Sequence, residues 1–72
     1  MESVSSIEQL KECFVNNKPI LFIKKYPEYD LKKEGIITSI DESSAIIMVK
    51  IEERIFYKIV FHDPDVTFFK GK

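Results

Sequence analysis

The hydrophobic rhythm of this chain changes once, near residue 19. Before that point Ile7, Leu10 and Phe14 recur three and four residues apart, which places them on one stripe of a helix. Glu8, Lys11 and Glu12 fall on the opposite side, and Cys13 lies near the stripe. The spacing predicts a helix over about residues 7–15. A serine hydroxyl can accept a bond from an otherwise unpaired N–H of the first helical turn, so Ser5 or Ser6 can cap it. Ser5 with Glu8 and Ser6 with Gln9 both have capping-box spacing. Asn16 and Asn17 tolerate a left-handed helix end, and Pro19 prevents continuation.

Beyond Pro19 the pattern is one of short apolar runs separated by turn-forming residues. It predicts strands over about residues 20–25, 35–41, 45–51, 54–61 and 66–69. In the first of these, Ile20, Leu21, Phe22 and Ile23 are apolar on both faces, which implies burial on both. "KKYPEYDLKKE" reads as a long connection: Tyr26-Pro27 interrupts a ladder, Tyr29-Asp30 suits a turn, and Leu31 can resume pairing. Gly35 marks a bulge or sharp bend. Turns are placed at residues 42–44, at Glu52-Glu53 and at "HDPD". Residues 1–72 form one mainly β domain, a helix followed by five short antiparallel strands. Closing them into a small barrel would remove exposed strand edges.

The strands carry more apolar faces than one core receives. Ile55, Tyr57, Ile59 and Phe61 share one face of their strand, but Phe56 and Val60 flank Lys58 on the other. Ile46 and Met48 oppose Ile47 and Val49 in the same way. A strand with one wet face alternates more cleanly. With Phe68 and Phe69 added, the excess points to a homo-oligomer.

Composition narrows the chemistry. A domain of 72 residues is marginal on its own. One cysteine, Cys13, cannot form an internal disulfide, and with one histidine, His62, it cannot build a structural zinc site. Lysine and arginine total 11 against 12 acids, so the net charge of −1 does not announce a strongly basic nucleic-acid binder. No run is long enough to span a membrane and no signal-peptide pattern opens the chain, so the expectation is a cytoplasmic protein. Cys13 and His62 are the only nucleophile and base available for Cys–His catalysis, with no third orienting group. The acidic pairs Asp41-Glu42 and Glu52-Glu53 belong to exposed turns, and His62-Asp63 with Asp65 fits a turn better than a metal site. With only Gly35 and Gly71 there is no phosphate-cradling loop. The reading is a non-enzymatic protein with no cofactor and no metal.

One cluster has positive content. Lys24, Lys25, Tyr26, Tyr29, Lys32 and Lys33 place cations and aromatics near one connection, with Tyr57 and Lys58 as a second contribution. Aromatic faces stack on unpaired bases and lysines hold phosphates, so the candidate ligand is RNA or single-stranded DNA. An ordinary solvated loop explains the same lysines. The competing class is a protein–protein module that docks on a larger partner through the apolar strand faces. Salt separates the two, since counterion release weakens nucleic-acid binding as salt rises.

The layout resembles Sm-like barrels, including the bacterial Hfq type, and through them small SH3-like barrels. The shared features are a glycine in the second predicted strand (Gly35), an aspartate ending it (Ser39-Ile40-Asp41), an apolar third strand and Tyr57-Lys58 in the fourth. The Hfq-type Tyr-Lys-His run reads Tyr57-Lys58-Ile59 here. The chain is also similar to the YolD-like family of small Gram-positive and phage proteins. That likeness runs through Ile20 to Ile23, Gly35, Ile40-Asp41, Ile47-Met48-Val49 and Lys58-Ile59-Val60-Phe61 followed by Val66, and covers residues 7–69. It implies a regulatory or accessory protein, sometimes linked to the DNA-damage response.

Overall fold

A computed structural model describes residues 2–71. The helix α1 runs Ile7–Val15, as its periodicity predicts. Ser6 is the cap: its hydroxyl accepts from the Gln9 N–H, and the Gln9 side chain accepts in return from the Ser6 N–H. Asn17 has φ 54°, the left-handed geometry that ends the helix. Leu10 and Cys13 are the helix's buried residues. Phe14 was expected in the stripe but is 39% exposed, because the buried arc passes through Cys13 instead.

The strands are β1 (Ser3–Val4), β2 (Pro19–Lys25), β3 (Asp30–Asp41), β4 (Ile46–Glu52), β5 (Ile55–Val60) and β6 (Val66–Lys70). All pair antiparallel in one sheet of order β1-β6-β2-β3-β4-β5. Six strands replace the five predicted. β1 is too short to show a pattern and exists through its pairing with β6, Val4 opposite Phe68.

The largest correction concerns β3, which starts at Asp30 rather than residue 35. "KKYPEYDLKK" is therefore a β-hairpin and not a long loop. Phe22 pairs with Lys33, Ile23 with Lys32, Lys24 with Leu31 and Lys25 with Asp30, and the Tyr26 N–H closes the turn on the Tyr29 carbonyl at 2.9 Å. The lysines misled because they read as loop, yet Leu31 keeps the inward alternation. The β4–β5 turn lies at Glu53-Arg54, one residue later than predicted, because Glu52 pairs with Ile55 and the ladder shifts between Lys50 and Glu52. The irregularity of β3 falls between Ile37 and Ser39.

The sheet curls around Phe22. This ring is fully buried and lies 5.7 Å from Tyr57 on β5 and 6.5 Å from Phe68 on β6. β2 and β5 are three strand spacings apart in the ladder order, about 14 Å in a flat sheet. The observed contact requires strong curvature. Phe61, just after β5, stacks on Phe68 at 5.8 Å. The core gathers Val4, Leu10, Cys13, Ile20, Phe22, Ile37, Ile47, Val49, Ile59 and Phe68 on the concave side. Leu21, apolar on the opposite face of β2, is also buried, as the double-sided apolar run of that strand implies.

Gly35 matters for close approach rather than for an unusual φ. A Cβ there would collide with the backbone carbonyl oxygen of Lys50 and come within 2.9 Å of Ile51 Cδ1. Backbone cannot rotate away as a side chain can. Gly35→Ala is expected to lower unfolding stability by about 1–3 kcal/mol, read as a reduced urea midpoint. An unchanged midpoint would show that β3 and β4 do not approach this closely.

Candidate nucleic-acid interface

The β2–β3 hairpin carries six of the eight residues singled out from the sequence. Side chains alternate along a strand, so the ladder register sorts them. Lys24 and Lys33 share the inner face with Ile20, Phe22, Leu31 and Gly35. Lys25 and Lys32 stand on the outer face. The four lysines therefore do not form one cationic patch. Outward charge is also mixed: Lys25 is directly opposite Asp30, and Lys32 lies between Asp30 and Glu34 along β3.

Two carbonyl and carboxylate contacts fix the hairpin to the segment between β5 and β6. The Lys25 N–H donates to the Asp65 carbonyl at 2.9 Å. Lys24 Nζ lies 3.4 Å from Asp63 Oδ2. Sequence reading assigned Asp63 and Asp65 to a turn alone. That turn is present: the Asp65 N–H donates to Asp63 Oδ1 and the Val66 N–H to the Asp63 carbonyl. Nothing in the local pattern indicated that it crosses to the hairpin.

At the tip, Tyr26 and Tyr29 stack with centroids 4.9 Å apart and planes 17° from parallel. Lys24 Nζ sits over the Tyr26 ring, 5.5 Å from its centroid. The tight turn puts the two rings side by side, since it brings residues 26 and 29 within one backbone hydrogen bond. Tyr26 is 38% and Tyr29 59% exposed. This is an aromatic platform in water, backed by a cation whose charge Asp63 already offsets.

Tyr57 and Lys58 do not join it. The Tyr57 ring turns inward against Phe22, while Lys58 points to the outer face of β5, opposite Met48. Cys13 is buried under the helix, and His62 packs edge-on against Phe61 at 5.3 Å in the β5–β6 connection. Among the described residues no group of three or more His, Cys, Asp or Glu gathers as metal ligands do. Nor is any helix among the described residues long and apolar enough to cross a membrane. Comparison with protein-family models, curated proteins and solved structures returns no match for this chain.

Among the described residues three ionisable groups depart from their ordinary values. The Asp65 N–H, with help from Lys24, holds the Asp63 carboxyl below the usual carboxylate range. Hydroxyls of Ser43 and Ser44 and the Ser43 N–H do the same for Asp41, which caps the β3–β4 turn. The bond from Lys70 to Glu2 raises the Lys70 ammonium. A carboxyl depressed in the folded state adds stability above its unfolded pKa of about 4 and loses it as pH falls through the folded value. A raised lysine contributes fully below about 10.4 and loses its contribution as pH rises through the folded value. Stability should therefore decline below about pH 4. Asp63→Asn should make that acid limb shallower, in urea midpoints measured between neutral pH and about pH 2. An acid limb identical to that of the parent would show that the Asp63 turn does not hold the hairpin.

Proposed function

We propose that this is a non-enzymatic regulatory or accessory protein of bacterial or phage type, built on a small Sm-like or SH3-like barrel. It takes single-stranded nucleic acid, RNA or DNA, at the tip of the β2–β3 hairpin. The observation that carries this reading is the stacked, exposed Tyr26–Tyr29 pair. Every base has a π-face, so an open aromatic ring recognises unpaired bases without reading their edges. Tyr29 offers the more open ring, and Lys25 and Lys32 on the adjoining outer face can meet phosphates. Lys24 and Lys33 act from the inner side, where Lys24 orients Tyr26 rather than holding a phosphate. Curvature of the sheet and the contacts of Phe22 and Phe61 across it support the barrel.

Mixed charge around the tip shapes the expected behaviour. Binding depends on stacking more than on phosphate neutralisation. Fluorescence anisotropy with labelled oligouridine and oligothymidine should show Tyr29→Ala weakening binding by the loss of one stacked base, about 1–3 kcal/mol or roughly 5- to 150-fold. Two phosphate contacts give a shallow salt slope, about −1.4 in log–log form. Affinity unaffected by Tyr29→Ala overturns the site. Absence of binding to both oligonucleotides overturns the nucleic-acid reading and favours the second one, a docking module for a larger protein, for which exposed Phe56 and Val60 on β5 are the specific observation.

A further inference from the structure

β5 ends the sheet, and among the described residues its ladder partner is β4 alone. The Phe61 N–H, next in register after β5, donates to the Ala45 carbonyl at 2.8 Å. Backbone groups alternate in direction along an antiparallel ladder, so those of Tyr57 and Ile59 also turn toward β4. Those of Phe56, Lys58 and Val60 turn to the open edge. The Val60 carbonyl is taken by the Asp63 N–H, whereas no turn, loop or side-chain bond among the described residues reaches the backbone of Phe56 or Lys58. The side chains of the same three residues form the outer face of the strand, with Phe56 50% and Val60 43% exposed.

This edge lacks the usual protection. Exposed strand edges are normally shortened, bulged, broken by proline or studded with charge. β5 has no proline, no glycine and one charge, Lys58. The opposite edge differs: β1 is two residues long, and the Lys70 N–H bonds to the Glu2 carbonyl beside it.

We propose that β5 pairs antiparallel with β5 of a second copy of this chain about a two-fold axis. The axis lies at Tyr57. Opposed residues must share a face, which leaves four central registers. One centred on Phe56 pairs only Ile55 to Tyr57 within β5 and sets Arg54 against Lys58, two like charges. One centred on Lys58 sets two ammonium groups against each other, a destabilising cross-strand pair. One centred on Ile59 sets Phe56 against His62, beyond the end of β5. The register centred on Tyr57 sets Phe56 of each copy against Lys58 of the other, twice, with the ammonium beside an aromatic face. It also sets exposed Ile55 against Ile59 of the second copy. In this register the strand pairs with itself without setting like charges together. A two-fold pairing closes after two copies, whereas β5 on β1 offers two residues and continues head to tail. The pairing does not depend on the hairpin's ligand.

Size-exclusion chromatography with light scattering over a range of protein concentrations tests it. The expected mass is twice that of the chain. Phe56→Lys places like charges opposite Lys58 of the second copy and should give a monomer, with circular dichroism reporting the fold. Adding Lys58→Glu to Phe56→Lys replaces the like charges with an opposed pair and should restore the dimer. A parent protein that stays monomeric, a ring of more copies, an unchanged dimer in Phe56→Lys or a failed restoration each overturns the proposal. Should the variants lose their fold, hydrogen exchange of the parent decides: exchange of the Phe56 and Lys58 amides that slows as concentration rises supports the pairing, and concentration-independent exchange overturns it.

Discussion

Burial of the Phe22 ring is the constraint on which the rest of the structure depends. A short chain has too little surface to cover a flat sheet, and its single short helix covers only part of one. Curling the sheet solves the problem by making distant strands cover one another. Phe22 touches Tyr57 from β5 and Phe68 from β6, strands on opposite sides of β2 in the ladder order. Curvature in turn demands that β3 and β4 approach closely where the sheet bends, and Gly35 permits it by having no Cβ to meet the Lys50 carbonyl. The helix fills the concavity with Leu10 and Cys13 and is held to the β3–β4 turn by Lys11 and Glu42, 3.1 Å apart. That exposed pair adds little energy and mainly sets position.

The same curvature explains why the hairpin tip is a defined object. A free two-stranded hairpin is marginal in water. Here β6 pairs with β2 from Ile20 to Lys24, and the Asp63–Asp65 turn adds the Lys24 and Lys25 contacts. Tyr26 and Tyr29 therefore project from a braced arm. Their stacking leaves less rotamer freedom to lose when a further ring is added, which favours binding over what two mobile tyrosines would give.

Much of this was legible in the sequence where a residue has a single physical use. Ser6 with Gln9, Asn17 and Pro19 mark the helix ends by backbone chemistry that no tertiary contact overrides. The double-sided apolar run of β2 announces a strand covered on both faces. What misled was charge at strand positions. Lys32, Lys33 and Glu34 read as loop, but long side chains can reach water from a strand, and Leu31 and Ile37 carry the inward rhythm. Nor could the division of the four lysines between two faces be read before the Phe22–Lys33 register was known. Tyr57 illustrates the same limit: its place beside Lys58 suggested a shared surface, while alternation sends the ring to the core and the lysine to solvent. The Lys24–Asp63 contact joins residues about half the chain apart, and no local pattern encodes it.

The apolar surplus of β4 and β5 has a division of its own. Ile47, Val49 and Ile59 are buried, and Tyr57 packs against them, so one face of both strands is accounted for by the curled core. On the other face Ile46 and Met48 are half-covered, while Phe56 and Val60 lie open. No element among the described residues covers them, since the helix is committed to the concave side. Their exposure would be a modest matter on a central strand. On a strand whose outward backbone groups at Phe56 and Lys58 are also unpaired among the described residues, apolar side chains and hydrogen-bonding groups coincide, and a neighbouring strand satisfies both at once. A solvated loop cannot do this, because water satisfies the backbone groups but leaves the rings exposed. Edge and face together therefore specify a strand as what belongs there, which is a narrower requirement than an apolar patch alone would impose.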